Sequence, residues 1–510
     1  VKKVLLPGWA ISLLVAAWLI PGIAMRDVWK GIDWPLLIAP AEVQESALLA
    51  VILAACVALA LLFTGLAARR LYGAGAGLAA VLGMAGSLGM LLPAHSLGPM
   101  PVNLALASLL LWGLAELQDH PWRASLIVSL ALAAAFTAFG PGAISFLPLL
   151  ALVVLYPLVT GLYTRPRVLI ALFIALLASQ LAVIPVALGQ ADFWAWWGQV
   201  WGEHWSLLTA RRWAEDVYSQ LLWFAFPLWP LALYGLNRVR RAGARSPQLW
   251  LPVLALLAWL PVLLPPESSL LLELGLWRES ALLLLPPLAL LAAAAMPHLK
   301  RGAANAFLWF GVMTFSVMAL FFWLYIAAYS FGAPVQLAER LLKLAVPLPA
   351  TPPWPLLVIG AVLTLLWFAG VPRLARSPVR PQVVWLYGLA INWILVVVLA
   401  FPVLEPRLGY QQVGAQIRAQ VGEECVIPIG INTVSEQFLR HSLGNALVRA
   451  PHASGQLPSG SLPCGWILLA SQTPNQRLMF GSLCREAWQG GRQGDRKEVM
   501  TLYDCRSPHG

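Results

Sequence analysis

Charge is what this chain has least of. Of 510 residues, 11% are Asp, Glu, Lys or Arg, and only 22 are acidic. An ordinary soluble domain carries about a quarter of its residues as charged groups, so a water-soluble globular fold of this length is excluded. Histidine and cysteine are also scarce, at 7 and 5. The cysteines include no Cys-x-x-Cys pair, which argues against a structural zinc site. The polar C-terminal stretch contains no GxGxxG, P-loop, HExxH or GxSxG motif, so it shows no nucleotide cradle or hydrolase elbow. The shortage of acids leaves a net charge of +11. That excess would suggest nucleic acid only if the cations gathered on one face. They lie in short loops between apolar runs, so no nucleic-acid partner is expected.

What fills the chain is apolar: 60% of its residues are hydrophobic and mean hydropathy is +0.76. Thirteen apolar segments fall near 4–24, 46–68, 75–93, 100–117, 124–140, 143–162, 168–188, 219–236, 248–265, 280–297, 304–329, 354–371 and 382–401. A run of about 20 such residues crosses roughly 30 Å of hydrocarbon as a helix. The first follows Lys2-Lys3 with no small-residue cleavage site before a soluble domain, so it reads as a retained helix. The expected fold is mainly α: a polytopic membrane protein of about 13 transmembrane helices over 1–401. Loops at 25–45 and 189–218 lie on its outer side, and a small α/β domain follows over 402–510.

Loops on one side of these spans hold 16 Lys and Arg, including Arg69, Arg70, Arg240, Arg241 and Arg301; the opposite loops hold 7. The positive-inside rule therefore places the N-terminus in the cytoplasm and, with an odd number of spans, the tail outside. Cysteine usage agrees. Cys56 sits within a span, while Cys425, Cys464, Cys484 and Cys505 all fall in the tail. An even set in one small domain fits two disulfides in an oxidising compartment such as a periplasm. Four cysteines allow three pairings, and spacing does not choose among them.

Against this apolar background one stretch stands out. Arg26, Asp27, Lys30 and Asp33 put four charges in eight residues directly after the first span. Ionisable groups at a membrane edge are candidates for function, with plain interfacial anchoring as the alternative. Asp27 and Asp33 are two oxygen donors; a divalent cation is a candidate occupant, although two donors do not define a site. In the outer turn 93–101, His95 is a candidate proton shuttle, with a solvated loop histidine as the alternative. Trp194, Trp197, Trp201 and Trp205 repeat at i, i+3, i+7 and i+11, the stripe of a helix lying in the outer interface. Around them Glu203, Arg211 and Arg212 are polar groups available to a headgroup or substrate. Arg278, just before an apolar run, can clamp a phosphate bidentately or snorkel to membrane lipids.

Pro227 and Pro230 in Trp223-Phe224-Ala225-Phe226-Pro227-Leu228-Trp229-Pro230 predict a kinked helix whose freed carbonyls neighbouring helices must satisfy. Residues 330–353 read as an outer loop too short to be a domain. In the tail, helix-like runs at 411–420 and 434–441 alternate with strand-like Val426-Ile427-Pro428-Ile429 and Trp466-Ile467-Leu468-Leu469.

Several of these stretches resemble one family, the polytopic GT-C glycosyltransferases related to lipid A aminoarabinose transferase and the protein O-mannosyltransferases. Arg26-Asp27-x-Trp29-Lys30-x-x-Asp33 resembles the Arg-Asp-Pro-Trp-Lys-x-Asp-Asp/Glu pattern of bacterial members. Ala68-Arg69-Arg70-Leu71-Tyr72-Gly73 is similar to the family's inner turn after its second helix. Trp223-Phe224-Ala225-Phe226-Pro227 with Pro230-Leu231-Ala232-Leu233 resembles its Trp-Phe-x-x-Pro…Pro-Leu-Ala-Leu helix. Arg301-Gly302-Ala303-Ala304-Asn305-Ala306 and the following Trp309-Phe310-Gly311 are similar to a segment of proteobacterial members. Their order along nearly the whole chain carries the resemblance.

The resemblance implies a transferase taking a sugar from a polyprenyl-phosphate carrier and passing it to a glycan, lipid or protein acceptor at the outer face of the bacterial inner membrane. It implies Asp33 as the catalytic carboxylate, with Asp27 second, and Arg278, Arg26 and Lys30 as phosphate contacts; Arg211 and Arg212 are weaker choices. The chain departs from the pattern in three places. Only Trp34 to Glu45 remains between Asp33 and the second span, where family members carry a longer loop. Before the fourth span, an aspartate of the family is replaced by a region offering His95 and Asn103. The turn Phe139-Gly140-Pro141-Gly142 stands where a Lys-Gly is common. These departures leave a second reading, a catalytically degenerate relative that binds lipid-linked sugar or assists envelope glycan assembly. A transporter would place its charges near the bilayer midplane, whereas here they collect at the rims.

Overall fold

The computed structural model describes residues 8–24, 43–98, 100–137, 143–189, 222–243, 245–259, 281–343, 352–374, 377–431, 433–448, 464–470, 484–495 and 498–506. Helices lie in all thirteen apolar segments: α1 (Gly8–Ala24), α2 (Val43–Tyr72), α3 (Ala74–Ala85), α4 (Met100–Glu116), α5 (Pro121–Thr137), α6 (Ala143–Thr160), α7 (Pro166–Gly189), α8 (Leu228–Val239), α9 (Pro247–Trp259), α10 (Leu285–Ala295), α11 (Arg301–Phe331), α13 (Trp354–Arg373) and α14 (Arg380–Leu399). Among the described residues five helices are long and apolar enough to cross a membrane. Two further helices, Ala74–Ala85 and Leu88–His95, pass the same criteria only as a pair bent by 61°, and six other apolar helices are shorter.

The chain divides into two compact units. The first comprises Val1–Ile20, Val51–Ser316 and Trp367–Ile391. In it α8 packs along α10 and α3 on α10, while α5 lies between α4 and α7. Small residues permit this closeness. A Cβ on Gly235 would sit 1.8 Å from the Leu291 carbonyl oxygen, so only glycine fits where α8 crosses α10. Residues Ala292 to Ala295 beside that crossing are all buried. Large apolar groups face outward instead: Leu126 is 72% exposed, Phe173 67% and Trp309 62%. Such a surface is stable against hydrocarbon and not against water.

The second unit comprises Pro21–Ala50, Val317–Leu366 and Asn392–Gly510. Where the sequence reads as a loop, it contains α12 (Val335–Lys343). Ala338 and Leu341 face inward on this short helix and pack with Ala328, Tyr325 and Tyr329, while Glu339 and Arg340 are exposed. Nine residues carry too little periodicity to separate from a loop by pattern alone.

Beyond α14 come α15 (Phe401–Leu408), α16 (Gln411–Val421) and α17 (Thr433–Leu443), with strands β1 (Val426–Ile429), β2 (Trp466–Ala470), β3 (Arg485–Gly491) and β4 (Val499–Asp504). The sheet order is β1-β2-β4-β3, with β1 and β2 parallel and the other pairs antiparallel. Ile427, Ile467, Leu469 and Tyr503 form its core together with Cys464 and Cys484. The pairing left open by spacing is Cys425–Cys464 and Cys484–Cys505. The first cystine ties the residue before β1 to the chain entering β2. The second ties the starts and ends of the β3–β4 hairpin. Cys56 is free, as expected for a cysteine within a span.

Candidate functional site

Of the residues singled out from the sequence, Arg26, Asp27, Lys30, Asp33, Glu203, Arg211, Arg212 and Arg278 lie outside the described residues, as does the tryptophan stripe 194–205. His95 is described. It closes the bent span, at the end of a 3₁₀ turn Pro93–His95, and is buried rather than solvated, at 1% exposure. Its Nδ1 faces the Leu91 carbonyl oxygen, and its Nε2 lies 3.0 Å from the Trp18 carbonyl oxygen on α1. The imidazole also meets the Trp18 ring edge-on at 5.2 Å. Pro21 lies inside the same helix and removes the donor that the Ala17 carbonyl would otherwise meet. His95 thus fastens the bent span to the helix that leads into residues 25–34.

The bend itself is a built joint. At Gly86-Ser87 the helical ladder stops, and the exposed polar groups find partners on the segment before α8. Ser87 Oγ donates to the Phe224 carbonyl at 2.9 Å, and the Leu88 amide donates to the Phe226 carbonyl at 3.0 Å. From α14, Trp385 Nε1 donates to the Gly86 carbonyl at 2.6 Å. The rings of Phe226, Phe310 and Phe315 surround Trp385 with centroids 4.9–6.0 Å away. The Phe226–Pro227 peptide is cis. A turn at 225–227 interrupts the helix where its prolines predict, and the Phe224 and Phe226 carbonyls are satisfied by a second broken helix. Neither Ser87 nor Trp385 carries a sequence signal of this role, since each looks like one more residue of an apolar span.

The tail holds a second polar cluster. Glu498 accepts from Tyr410 Oη at 2.6 Å, from the Ser435 hydroxyl and from Arg492 Nη2 at 3.1 Å. Arg492 also pairs with Asp495 at 2.6 Å and donates to the Arg407 carbonyl at 3.2 Å. Its guanidinium lies 5.1 Å from the centre of the Tyr410 ring, which stacks on Phe438. Burial and the neighbouring Glu498 carboxylate push the Tyr410 phenol well above its ordinary value. All these partners are internal, so the cluster braces α15, α16 and α17 against the β3–β4 hairpin. A surface cluster at the other end of the strands does similar work: Arg506 pairs with Asp504 and Glu424 and covers the Trp466 ring at 4.6 Å. Arg506 holds the Asp504 carboxyl below the usual carboxylate range. Among the described residues no three His, Cys, Asp or Glu side chains are placed to hold a metal ion.

Fold and polar joints together define a polytopic membrane protein with a small disulfide-bonded sheet domain. No protein-family model matches the chain, and no curated protein matches its sequence. Among solved structures it is similar to ArnT from Cupriavidus metallidurans in the apo state, with 16% identity, a TM-score of 0.62, and 97% of this chain and 98% of that one covered. It is similar to the same protein bound to undecaprenyl phosphate at 15% identity and a TM-score of 0.62, with 98% of each chain covered. The likeness is of fold and runs end to end. It agrees with the GT-C architecture that the ordered motifs resemble.

Proposed function

We propose that this chain is an inner-membrane glycosyltransferase that moves a sugar from a polyprenyl-phosphate carrier to an acceptor on the periplasmic face. The observation that carries this reading is the end-to-end fold match to ArnT, one of whose structures holds undecaprenyl phosphate. The motif at 26–33, the excess of cations on one set of loops and the two cystines of the tail support it. On this reading the N-terminus is cytoplasmic and residues 402–510 are periplasmic. An acceptor group attacks the anomeric carbon while its bond to the carrier phosphate breaks. Asp33 orients that nucleophile, or takes its proton when it is a hydroxyl, with Asp27 as the second carboxylate. Arg278, Arg26 and Lys30 meet the charge left on the polyprenyl phosphate, with Arg211, Arg212 and Glu203 as further substrate contacts. His95, expected from the sequence to join them, is buried with both ring nitrogens on backbone carbonyls and keeps a fastening role. A divalent cation held by Asp27 and Asp33 would make the reaction sensitive to a chelator.

The test is release of free polyprenyl phosphate when purified protein meets a polyprenyl-phosphate sugar and outer-membrane acceptors. Asp33→Asn should cut that release on the order of a hundred-fold or more and leave thermal unfolding unchanged. Release surviving in the Asp33→Asn, Asp27→Asn double variant removes the catalytic assignment. The short loop after Asp33 and the family charges missing near 95 and 140 favour a second reading, a non-catalytic carrier-binding relative. Binding of the lipid-linked sugar without any release would select it.

A further inference from the structure

Among the described residues, the first unit gathers its cations at one end, and there they exceed what the described carboxylates neutralise. Contacts fix the ends. Tyr72, at the close of α2, donates to the Gln248 carbonyl at the start of α9. Arg165, before α7, donates to the Gln118 carbonyl after α4 at 3.4 Å. Tyr234 in α8 reaches the His298 carbonyl before α11 at 2.9 Å. The basic turns between these helices therefore share one end. Its acids Glu116 and Asp119 both pair with Arg70. The described parts of α5 through α9 contain no Asp or Glu.

Within this end, two turns meet. Gly161, in the left-handed conformation at φ 77°, closes α6 and starts the 3₁₀ turn Leu162–Thr164. A Cβ at 161 would lie 3.7 Å from Arg245 Cδ and 3.8 Å from its Nη1. Arg245 thus crosses the Gly161 backbone, coming from the turn that holds Arg240 and Arg241. Arg165, Arg167, Arg240, Arg241 and Arg245 are all exposed, and among the described residues none has a carboxylate partner. Below the turn the surface becomes apolar: Leu158 is 52% exposed, Leu169 49% and Phe173 67%. Tyr163, in the same turn, is also exposed.

We propose that this seam between the turns at 161–165 and 240–246 binds the headgroup of an anionic glycerophospholipid, whose acyl chains lie on α6 and α7. Charge complementarity selects the headgroup, because guanidinium forks match phosphate oxygens. The apolar face directly below selects a lipid over a free anion. A basic pocket between span ends is a known way of meeting acidic headgroups.

The test is native mass spectrometry of the full chain released from nanodiscs containing cardiolipin, phosphatidylglycerol and phosphatidylcholine. The wild type should retain the anionic lipids selectively. The triple variant Arg165→Gln, Arg241→Gln, Arg245→Gln should lose that retention on the order of a hundred-fold, with an unchanged melting temperature. Lysine at the same three positions, which keeps the charge but not the fork, should keep only part of it. The pair Lys300→Gln, Arg301→Gln removes charge from the same end outside the seam and should change retention less than about two-fold. Equal loss in the triple and control variants, equal retention of phosphatidylcholine, or displacement of the lipid by inorganic phosphate at equal molarity would overturn the proposal.

Discussion

The helical first unit and the sheet-bearing tail solve the same packing problem in opposite solvents. In the helical unit the interior is small and the exterior large: Gly235 and Ala292 to Ala295 line one crossing, while Leu126 and Phe173 face outward. In the tail the apolar groups Ile467, Leu469 and Tyr503 turn inward, and ion pairs and cystines close the edges. Lipid offers no hydrophobic driving force between helices, so close van der Waals contact and internally satisfied backbone groups must hold them. Water offers that force, but a four-stranded sheet with a modest core gains from covalent and ionic ties.

Breaking the tail's buried pair should have the largest effect. Arg492 is the cation shared by Asp495 and Glu498, and its side chain is 10% exposed. Arg492→Met removes the cation shared by both carboxylates, leaving Glu498 only its hydroxyl donors, and should cost about 3 kcal/mol. Hydrogen exchange should accelerate in β3 and β4 and stay unchanged along α8 and α10; equal acceleration in both regions would dissolve the contrast. Next in size is Gly235→Ala, which drives a methyl into the Leu291 carbonyl and forces α8 from α10. It should cost ~2 kcal/mol, seen as a lower melting temperature in detergent with exchange in the tail untouched.

The smallest effect sharpens the comparison through pH. Folding raises the Tyr410 phenol above its ordinary value of about 10. A raised pKa gives stability that is complete below the unfolded value and is lost as pH rises through the folded one. The tail should therefore weaken in alkali above about pH 10. Tyr410→Phe should flatten that limb and cost about 1 kcal/mol at neutral pH for the lost bond to Glu498. A stability curve of the variant that still bends at the same alkaline pH would remove Tyr410 as the cause.

Much of the architecture was legible because it follows from solvent alone. Each apolar run contains a helix, the four tail cysteines form two cystines, and β1 and β2 lie where their apolar runs predict. β3 escaped that reading because Arg485 to Gly491 is a polar, partly exposed edge without alternation. α12 escaped because its inward face is only Ala338 and Leu341. Of the candidate site, His95 reads as a turn histidine, and nothing local announces that it is buried against Trp18. Its partner is 77 residues away, and so is invisible to spacing.

The sequence by itself determined that most of this protein lives in a membrane, which of its loops carry cations, and that its tail is a cystine-bearing α/β domain. Hydropathy, charge and cysteine content are local or summed properties, and they need no knowledge of partners. Tertiary structure alone decided which cysteines join, that the helix broken at Gly86-Ser87 is completed by Phe224 and Phe226, and that Arg245 crosses Gly161 to complete a basic seam. Each is a meeting of residues far apart in the chain, set by which surfaces can approach closely enough to satisfy every buried polar group.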